Sequence, residues 1–230
     1  MIYSLDTANL EMIKKTRGKY PLGAYSMNPS IAVKDLTGST KTFFEDVMEM
    51  REVIGEDAEL WVQVIGEKAE DMVKDAHTLL ERIPGNTCIK IPACPEGYKA
   101  MQILSKEGVT ICCTAVFDVN QALLAVEAGA ANVAVYVNRL DCAGGDGIEV
   151  IRKIVKIFRE RNIKVTVSAA SVKNPLYIEE AALAGADYVA VGYDLLEQLA
   201  THSMTEKTLE KFKEDWEGLY GKGTMIHNMR

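Results

Sequence analysis

A single lysine stands in the middle of an apolar run, Cys88-Ile89-Lys90-Ile91-Pro92-Ala93-Cys94-Pro95. The run reads as a short buried strand. An unpaired ammonium taken out of water costs far more than its apolar stem gains. The expected escape is a shifted pKa, and a neutral lysine is a nucleophile that forms a Schiff base with a carbonyl. The alternative is a lysine that snorkels at a strand end or pairs with a carboxylate. Strand side chains alternate between two faces. On six strand-like runs this alternation collects Ser4 with Asp6, Ala24 with Ser26 and Asn28, then Gln63, Lys90, Cys112 with Thr114, and Ala134 with Tyr136 and Asn138. The opposite parity of the same runs is mostly apolar. These pieces suit attack of an amine on a ketone, followed by dehydration and carbon–carbon cleavage. Both later steps need proton transfers, which a phenol, a carboxylate or an ordered water can carry. Gln63 and Thr114 are suited to hold such a water, and Asp6 and Asn28 to orient the hydroxyls of a sugar. Arg139 follows the sixth of these runs and Ser171 the next run along the chain, and a guanidinium fork with a hydroxyl suits a phosphate or sulfonate. Alone, Arg139 also reads as a surface ion pair and Ser171 as a helix cap. The glycine-rich stretch Ala143-Gly144-Gly145-Asp146-Gly147 fits an anion nest, or only a loop that needs glycine before a helix.

The elements that must position these residues alternate strand and helix along the whole chain. The pattern predicts strands over residues 2–6, 22–28, 60–65, 88–92, 110–117, 133–137, 164–170 and 188–191. Helices are predicted near 9–18, 40–54, 67–83, 96–107, 119–128 and 148–161, from Asn174-Pro175 to Gly185, at 194–200 and over 205–219. The 40–54 stretch places Phe43, Phe44, Val47, Met50 and Ile54 on one stripe. Proline is tolerated in a helix's first turn, which makes Asn174-Pro175 a start signal, whereas Pro29 reads as the end of the second strand. Alternating βα units imply a parallel sheet covered by helices. Eight of them in about 200 residues predict one closed (β/α)8 barrel spanning 1–230, with 205–219 as an additional C-terminal helix. An open doubly wound sheet is the runner-up, but no G-x-G-x-x-G turn follows the first strand. Purely structural barrels fill the interior with branched apolar layers, so the polar parity set points to a site, or else to a hydrogen-bonded polar plug without chemistry.

The chain has 230 residues, 48% of them hydrophobic and 26% charged, as expected of one globular domain. A net charge of −7 and a pI near 5.1 disfavour broad nucleic-acid binding. The five cysteines, Cys88, Cys94, Cys112, Cys113 and Cys142, form no CxxC pair, which predicts reduced thiols in a cytoplasmic protein. His77, His202 and His227 are scattered without ligand spacing, so no metal or other cofactor is expected. No apolar run approaches the length of a membrane span, and no leader pattern opens the sequence.

Seven signposts occur in order on these strands: Leu5-Asp6-Thr7, Asn28-Pro29-Ser30, Val62-Gln63-Val64, Ile89-Lys90-Ile91-Pro92, Thr114-Ala115-Val116, Tyr136-Val137-Asn138-Arg139 and Ala169-Ala170-Ser171-Val172-Lys173. With them the chain resembles the small transaldolase-like family over nearly its whole length, and within it the fructose-6-phosphate aldolase branch. The resemblance implies a class I aldolase that works without metal or cofactor. Lys90 matches the Schiff-base lysine. Asp6 and Asn28 match residues that position donor hydroxyls and assist proton transfer. Gln63, Thr114 and Tyr136 match the set that holds the catalytic water, with Tyr136 as the acid–base participant, and Arg139 with Ser171 match the phosphate-binding pair. Ser26, which keeps a hydroxyl where the family commonly has threonine, and Ala134, an inward neighbour of the amine, complete the expected substrate contacts. Transaldolases of the family carry glutamate at the Gln63 position and phenylalanine at the Tyr136 position. The pairing here therefore implies cleavage of fructose 6-phosphate to dihydroxyacetone and glyceraldehyde 3-phosphate, or a related aldehyde, rather than transfer of the three-carbon unit between sugar phosphates. The departures are Met27, on the outward parity, and Ser168, where leucine is common. The family assembles as decamers of two pentameric rings with the C-terminal helix on a neighbour, a role that helix 205–219 suits. A barrel that binds a sugar phosphate without turning it over is the remaining alternative, against which the intact Lys90 stands.

Overall fold

The computed structural model describes residues 1–229. Eight parallel strands pair in sequence order and the first pairs with the last, so the sheet closes into a barrel. They are β1 (Ile2–Asp6), β2 (Leu22–Ser26), β3 (Glu59–Gln63), β4 (Thr87–Pro92), β5 (Ile111–Val116), β6 (Asn132–Tyr136), β7 (Thr166–Ala170) and β8 (Tyr188–Val191). The crossovers are α1 (Leu10–Thr16), α2 (Pro29–Leu36) with α3 (Phe43–Ile54), α4 (Ala69–Arg82), α5 (Pro95–Leu104), α6 (Val119–Glu127), α7 (Val137–Cys142) with α8 (Gly147–Glu160), and α9 (Pro175–Ala184). This is the expected (β/α)8 barrel.

Outward strand residues make the main apolar layer. Leu5, Ile89, Ile91, Ile111, Cys113, Val133, Val135, Ala169, Val189 and Val191 are all inaccessible, packed between sheet and helices. Burying each aliphatic side chain of this size contributes about 1.5–3 kcal/mol, which fixes strand register because a one-residue slip would expose the whole set. The inward face carries Ala24, Trp61, Cys88, Cys112, Ala134, Tyr136 and Ala170, with Ala115, Phe117, Tyr188 and Ala190 packed against them.

The turns that lead from strands into helices repeat one chemistry. Asn28, Asp118, Asp146 and Asn174 each accept a backbone N–H of the first helical turn on a side-chain oxygen. Asn28-Pro29 and Asn174-Pro175 are the same start signal, so residues 29–36 form α2, where the sequence pattern places only the end of a strand. Likewise the chain turns helical directly after Tyr136. Asn138 therefore lies in α7, with Nδ2 against Cys142 Sγ, and leaves the inward parity set to which its spacing assigns it.

The opposite end of the barrel is tied by Arg51 of α3, which is 2% exposed. Its Nη1 donates to the carbonyls of Gly55 and Ala58, and its Nη2 to the carbonyl of Asn86 and to Thr87 Oγ1. Arg51→Met removes the side-chain donor to three partly buried carbonyls and to the buried Thr87 hydroxyl, although the Asn86 carbonyl keeps the Leu60 N–H. We expect it to cost about 3 kcal/mol, since each orphaned buried acceptor costs roughly 1–3 kcal/mol before relaxation. Urea denaturation checks this as a lower midpoint at an unchanged slope.

Contacts divide the chain into two compact units, Met1–Tyr193 with the barrel and a second unit that begins at Asp194. After α10 (Tyr193–Leu199), the second unit carries α11 (Ser203–Tyr220), which begins on a His202 cap and ends at Gly221. Within it Trp216 Nε1 donates to the Thr224 carbonyl, and Leu209, Phe212 and Leu219 stay exposed. No described helix is long and apolar enough to cross a membrane.

Candidate active site

The ends of the strands bring the expected residues to one mouth of the barrel. Gln63 and Lys90 are register partners on β3 and β4, and Lys90 pairs in turn with Cys112 of β5. Lys90 is 7% exposed, and its Nζ has no hydrogen-bond or ion-pair partner among the described residues. The lysine of the sequence pattern is thus a buried residue, and no carboxylate forms an ion pair with it, although its charge is felt at Asp6. Gln63 Oε1 is buried without a donor, and an unsatisfied buried acceptor in a cleft marks a place for a water or a ligand hydroxyl.

Thr114 and Tyr136 meet directly. Thr114 Oγ1 donates to Tyr136 Oη over 3.2 Å, which leaves the phenolic O–H free to donate elsewhere. Thr114 is fully buried and Tyr136 is 6% exposed. The phenol ring is held edge-on by Phe117 at 5.8 Å, and the Arg139 guanidinium lies over it at 5.0 Å from the centroid. A cation over an aromatic face at this range is attracted by the ring quadrupole. Exposed Arg139 is thereby kept at the mouth by the same ring that carries the hydroxyl.

A bulge in β5 aims this pair. Pairing with β6 runs Cys113↔Val133 and then Val116↔Val135, so Thr114 and Ala115 together oppose one residue. Ala115 takes φ 57°, a left-handed conformation that costs a residue with a Cβ roughly 1 kcal/mol. The bulge turns Ala115 and Phe117 inward, although strict alternation from Cys112 predicts Ala115 on the outer face. Bulges beside functional sites often re-aim a side chain in this way. A second strained position at this mouth is Ser171, at φ 59° just past β7, whose carbonyl accepts the N–H of Asn138 over 3.3 Å.

Asp6 ends β1 opposite Ser26, which donates to Asp6 Oδ1 over 2.8 Å. Burial pushes the Asp6 carboxyl above the usual carboxylate range, against the pull of the Lys90 charge, the Ser26 hydrogen bond and the Lys173 charge. Lys173, two residues beyond Ser171, thus joins Arg139 as a second cation felt at this mouth. Asn28 begins α2, and its Oδ1 is committed to the Ile31 N–H. Asp35 of α2 accepts from Thr7 Oγ1 at 2.6 Å and from the Ala8 N–H at 2.8 Å, which clamps that helix to the loop after β1. Asn28 and Gln63 also line a groove of about 430 Å³ with Phe43, Val62 and Ile65.

Below this layer lies a second polar set that the sequence pattern missed. Asn132 Oδ1 accepts from Ser168 Oγ at 2.9 Å and from Cys112 Sγ at 3.3 Å, while its Nδ2 donates to Thr166 Oγ1 at 2.8 Å. Glu59 accepts from Trp61 Nε1 and from Tyr188 Oη. Burial holds the Cys112 thiol up at about 12, so beside Lys90 it stays a protonated donor rather than a nucleophile. Asn132 and Glu59 share the inward parity of Tyr136 and Gln63, which is the signal that finds them once the strands are extended by one residue.

A closed parallel barrel with a buried lysine and its polar partners at the strand ends is the architecture of (β/α)8 enzymes, whose sites form at this face. A model of the transaldolase/fructose-6-phosphate aldolase family matches residues 3–223, and the chain belongs to that family. A probable transaldolase of Brachyspira hyodysenteriae is 38% identical over 222 residues, covering 96% of this chain and 100% of the relative. A probable transaldolase of Caldicellulosiruptor saccharolyticus is 41% identical, covering 93% and 95%. Among solved structures, a thiamine phosphate pyrophosphorylase from Pyrococcus furiosus superposes with a TM-score of 0.56 at 17% identity, covering 83% of this chain and 84% of that one. That likeness speaks to the barrel alone.

Proposed function

We propose that the protein is a class I aldolase that uses Lys90 as a Schiff-base amine and cleaves fructose 6-phosphate, or a close ketose phosphate, to dihydroxyacetone and an aldehyde phosphate. The observation that carries this reading is Lys90, a buried residue whose Nζ has no hydrogen-bond or ion-pair partner among the described residues, in register with Gln63, whose Oε1 has no donor, and on the strand beside that of Thr114, which bonds Tyr136. The amine attacks the ketone and water leaves. Carbon–carbon cleavage then needs a base for the sugar hydroxyl and an acid for the enamine. Tyr136, through a water held with Gln63 and Thr114, fits that role. Asp6, Ser26 and Asn28 orient donor hydroxyls, and Ala134 gives the amine an apolar wall. Arg139 and Ser171, with Lys173 nearby, take the phosphate. Exposed Leu209, Phe212 and Leu219 on α11 fit the decamer of two pentamers known for the family, in which a second copy covers such a helix. Five free cysteines fit a reducing cytoplasm.

The names of the relatives favour a second reading, transfer of the dihydroxyacetone unit to another sugar phosphate. Gln63 favours cleavage, because an amide cannot give and take a proton as a carboxyl does. The two separate when fructose 6-phosphate is supplied without an acceptor. Free dihydroxyacetone is the expected product, and release that waits for erythrose 4-phosphate would establish transfer instead.

Arg139→Ala is expected to raise KM for fructose 6-phosphate about 10–100-fold, the loss of a charge-assisted contact worth roughly 1.5–3 kcal/mol. Steady-state kinetics with unphosphorylated fructose should show little change, since that substrate never uses the guanidinium.

A further inference from the structure

The barrel interior contains a small cavity of about 30 Å³, bordered by Ser4, Ser26, Trp61, Lys90, Asn132 and Ser168. Its place follows from strand order. Ser4 is one inward step before Asp6 on β1, Trp61 one before Gln63, and Asn132 two before Tyr136. Asp6, Gln63, Thr114 and Tyr136 do not line it. It therefore lies beneath Lys90, on the side away from the mouth where the substrate would sit, and of its polar lining residues only Lys90 and Ser26 belong to both levels.

The polar valences around this cavity do not close within the protein. Ser4 is 5% exposed, and its Oγ is buried without a hydrogen-bond partner among the described residues. Its neighbours in register on either side are Ala24 and Ala190, which offer it nothing. Lys90 Nζ has no partner either. Ser26 Oγ spends its proton on Asp6 Oδ1 and keeps its lone pairs. Asn132 and Ser168, in contrast, satisfy each other. A buried water needs roughly 10–15 Å³ and about three polar partners. The space suffices, and the three unmet groups are two donors and one acceptor, which a single water completes by accepting from Lys90 and Ser4 and donating to Ser26.

We propose that this cavity holds a water, anchored by Ser4, that carries the proton of the Lys90 ammonium through Ser26 to Asp6. The proposal rests on the reading of Lys90 as the Schiff-base amine, which must lose that proton before it attacks. In the transfer an N–H bond of Lys90 breaks and the water gains that hydrogen. The water passes one of its own to Ser26 Oγ, and Ser26 passes its hydroxyl hydrogen to Asp6 Oδ1. One proton moves from ammonium to carboxylate, and each hydrogen bond in the chain reverses direction. Burial pushes the Asp6 carboxyl above the usual carboxylate range, so its carboxylate takes up the relayed proton more readily than an ordinary one. This water is separate from the one assigned to Gln63, Thr114 and Tyr136, so the ketone entering from the mouth does not displace it. Ser4 acts only through the water and is a positioning residue.

Ser4→Val and Ser4→Thr form the test, because the two side chains have the same shape and differ in the hydroxyl. The readout is the rate at which borohydride traps dihydroxyacetone on Lys90, in H2O and in D2O, with a high-resolution crystal structure of each protein. The expected result is water density between residues 4 and 90 in the wild type and Ser4→Thr but not in Ser4→Val. Ser4→Val should be trapped about tenfold more slowly, at the low end of what a positioned proton-transfer group supplies. It should also lose the solvent isotope effect that Ser4→Thr keeps. Equal rates and isotope effects in wild type and Ser4→Val would overturn the relay while leaving Lys90 as the amine, as would an absence of that water. No adduct on wild-type Lys90 would overturn both the Schiff-base reading and the relay that depends on it.

Discussion

Lys90→Met should lose turnover by about 10⁴-fold or more, the scale on which removal of a covalent nucleophile acts in other enzymes, while the barrel stays at least as stable as the parent. The two halves of this expectation come from one observation. Lys90 is a buried residue whose Nζ makes no hydrogen bond or ion pair among the described residues, so its charge gives the fold little beyond its attraction to Asp6, while the fold bears its desolvation. Methionine keeps the length and apolar stem of lysine and removes the amine. A residue kept for structure would show the reverse, with lost stability and residual activity. Fructose 6-phosphate cleavage assays and urea denaturation on the same preparation read both halves. The change also removes a charge that draws the Asp6 carboxyl down, so Asp6 should rise further above the usual carboxylate range. A carboxyl raised in the fold adds stability that is fully present below its unfolded pKa and is lost as pH rises through the folded one. Lys90→Met should therefore carry that contribution to higher pH than the parent does.

Tyr136→Phe is expected to lower kcat about 10²–10³-fold, within the range for a positioned acid–base group, and to leave Schiff-base formation nearly intact. The ring is held by Phe117 and overlaid by Arg139, contacts that phenylalanine retains. Only the hydroxyl goes, and with it the acceptor of the Thr114 hydrogen bond, at a stability cost of about 1 kcal/mol. Single-turnover kinetics separate the two steps. The dihydroxyacetone imine should still be trapped at close to the parent rate, whereas proton exchange on its carbon should slow with kcat. Equal losses in both would move Tyr136 from proton transfer to general positioning.

The barrel was legible because eight βα units alternate and because outward residues such as Ile89, Ile91, Val133 and Val135 mark parity without ambiguity. The upper polar layer of the candidate site followed from the same parity, through Asp6, Ser26, Gln63, Lys90 and Tyr136. Three local events escaped it. Asn28-Pro29 starts a helix, yet proline after a strand also reads as a stop, and only tertiary packing of α2 decides between the two. Alternation assumes one residue per step, so the bulge at Thr114-Ala115 put Ala115 on the wrong face and left Phe117 out of the site. The lower network was hidden by strand ends taken one residue late, at Leu60 and Val133 instead of Glu59 and Asn132. Ser4 was placed on the right face, but the lack of a partner for its hydroxyl depends on Ala24 and Ala190 lying beside it, which is a matter of register between strands that are distant in the chain.

Borohydride reduction of the protein with dihydroxyacetone, followed by peptide mapping by mass, tests the Schiff base itself. One stable adduct is expected, on the peptide that contains Lys90, formed at neutral pH and absent from Lys90→Met. A protein that stays unlabelled under these conditions, or carries the adduct on another lysine, would contradict it.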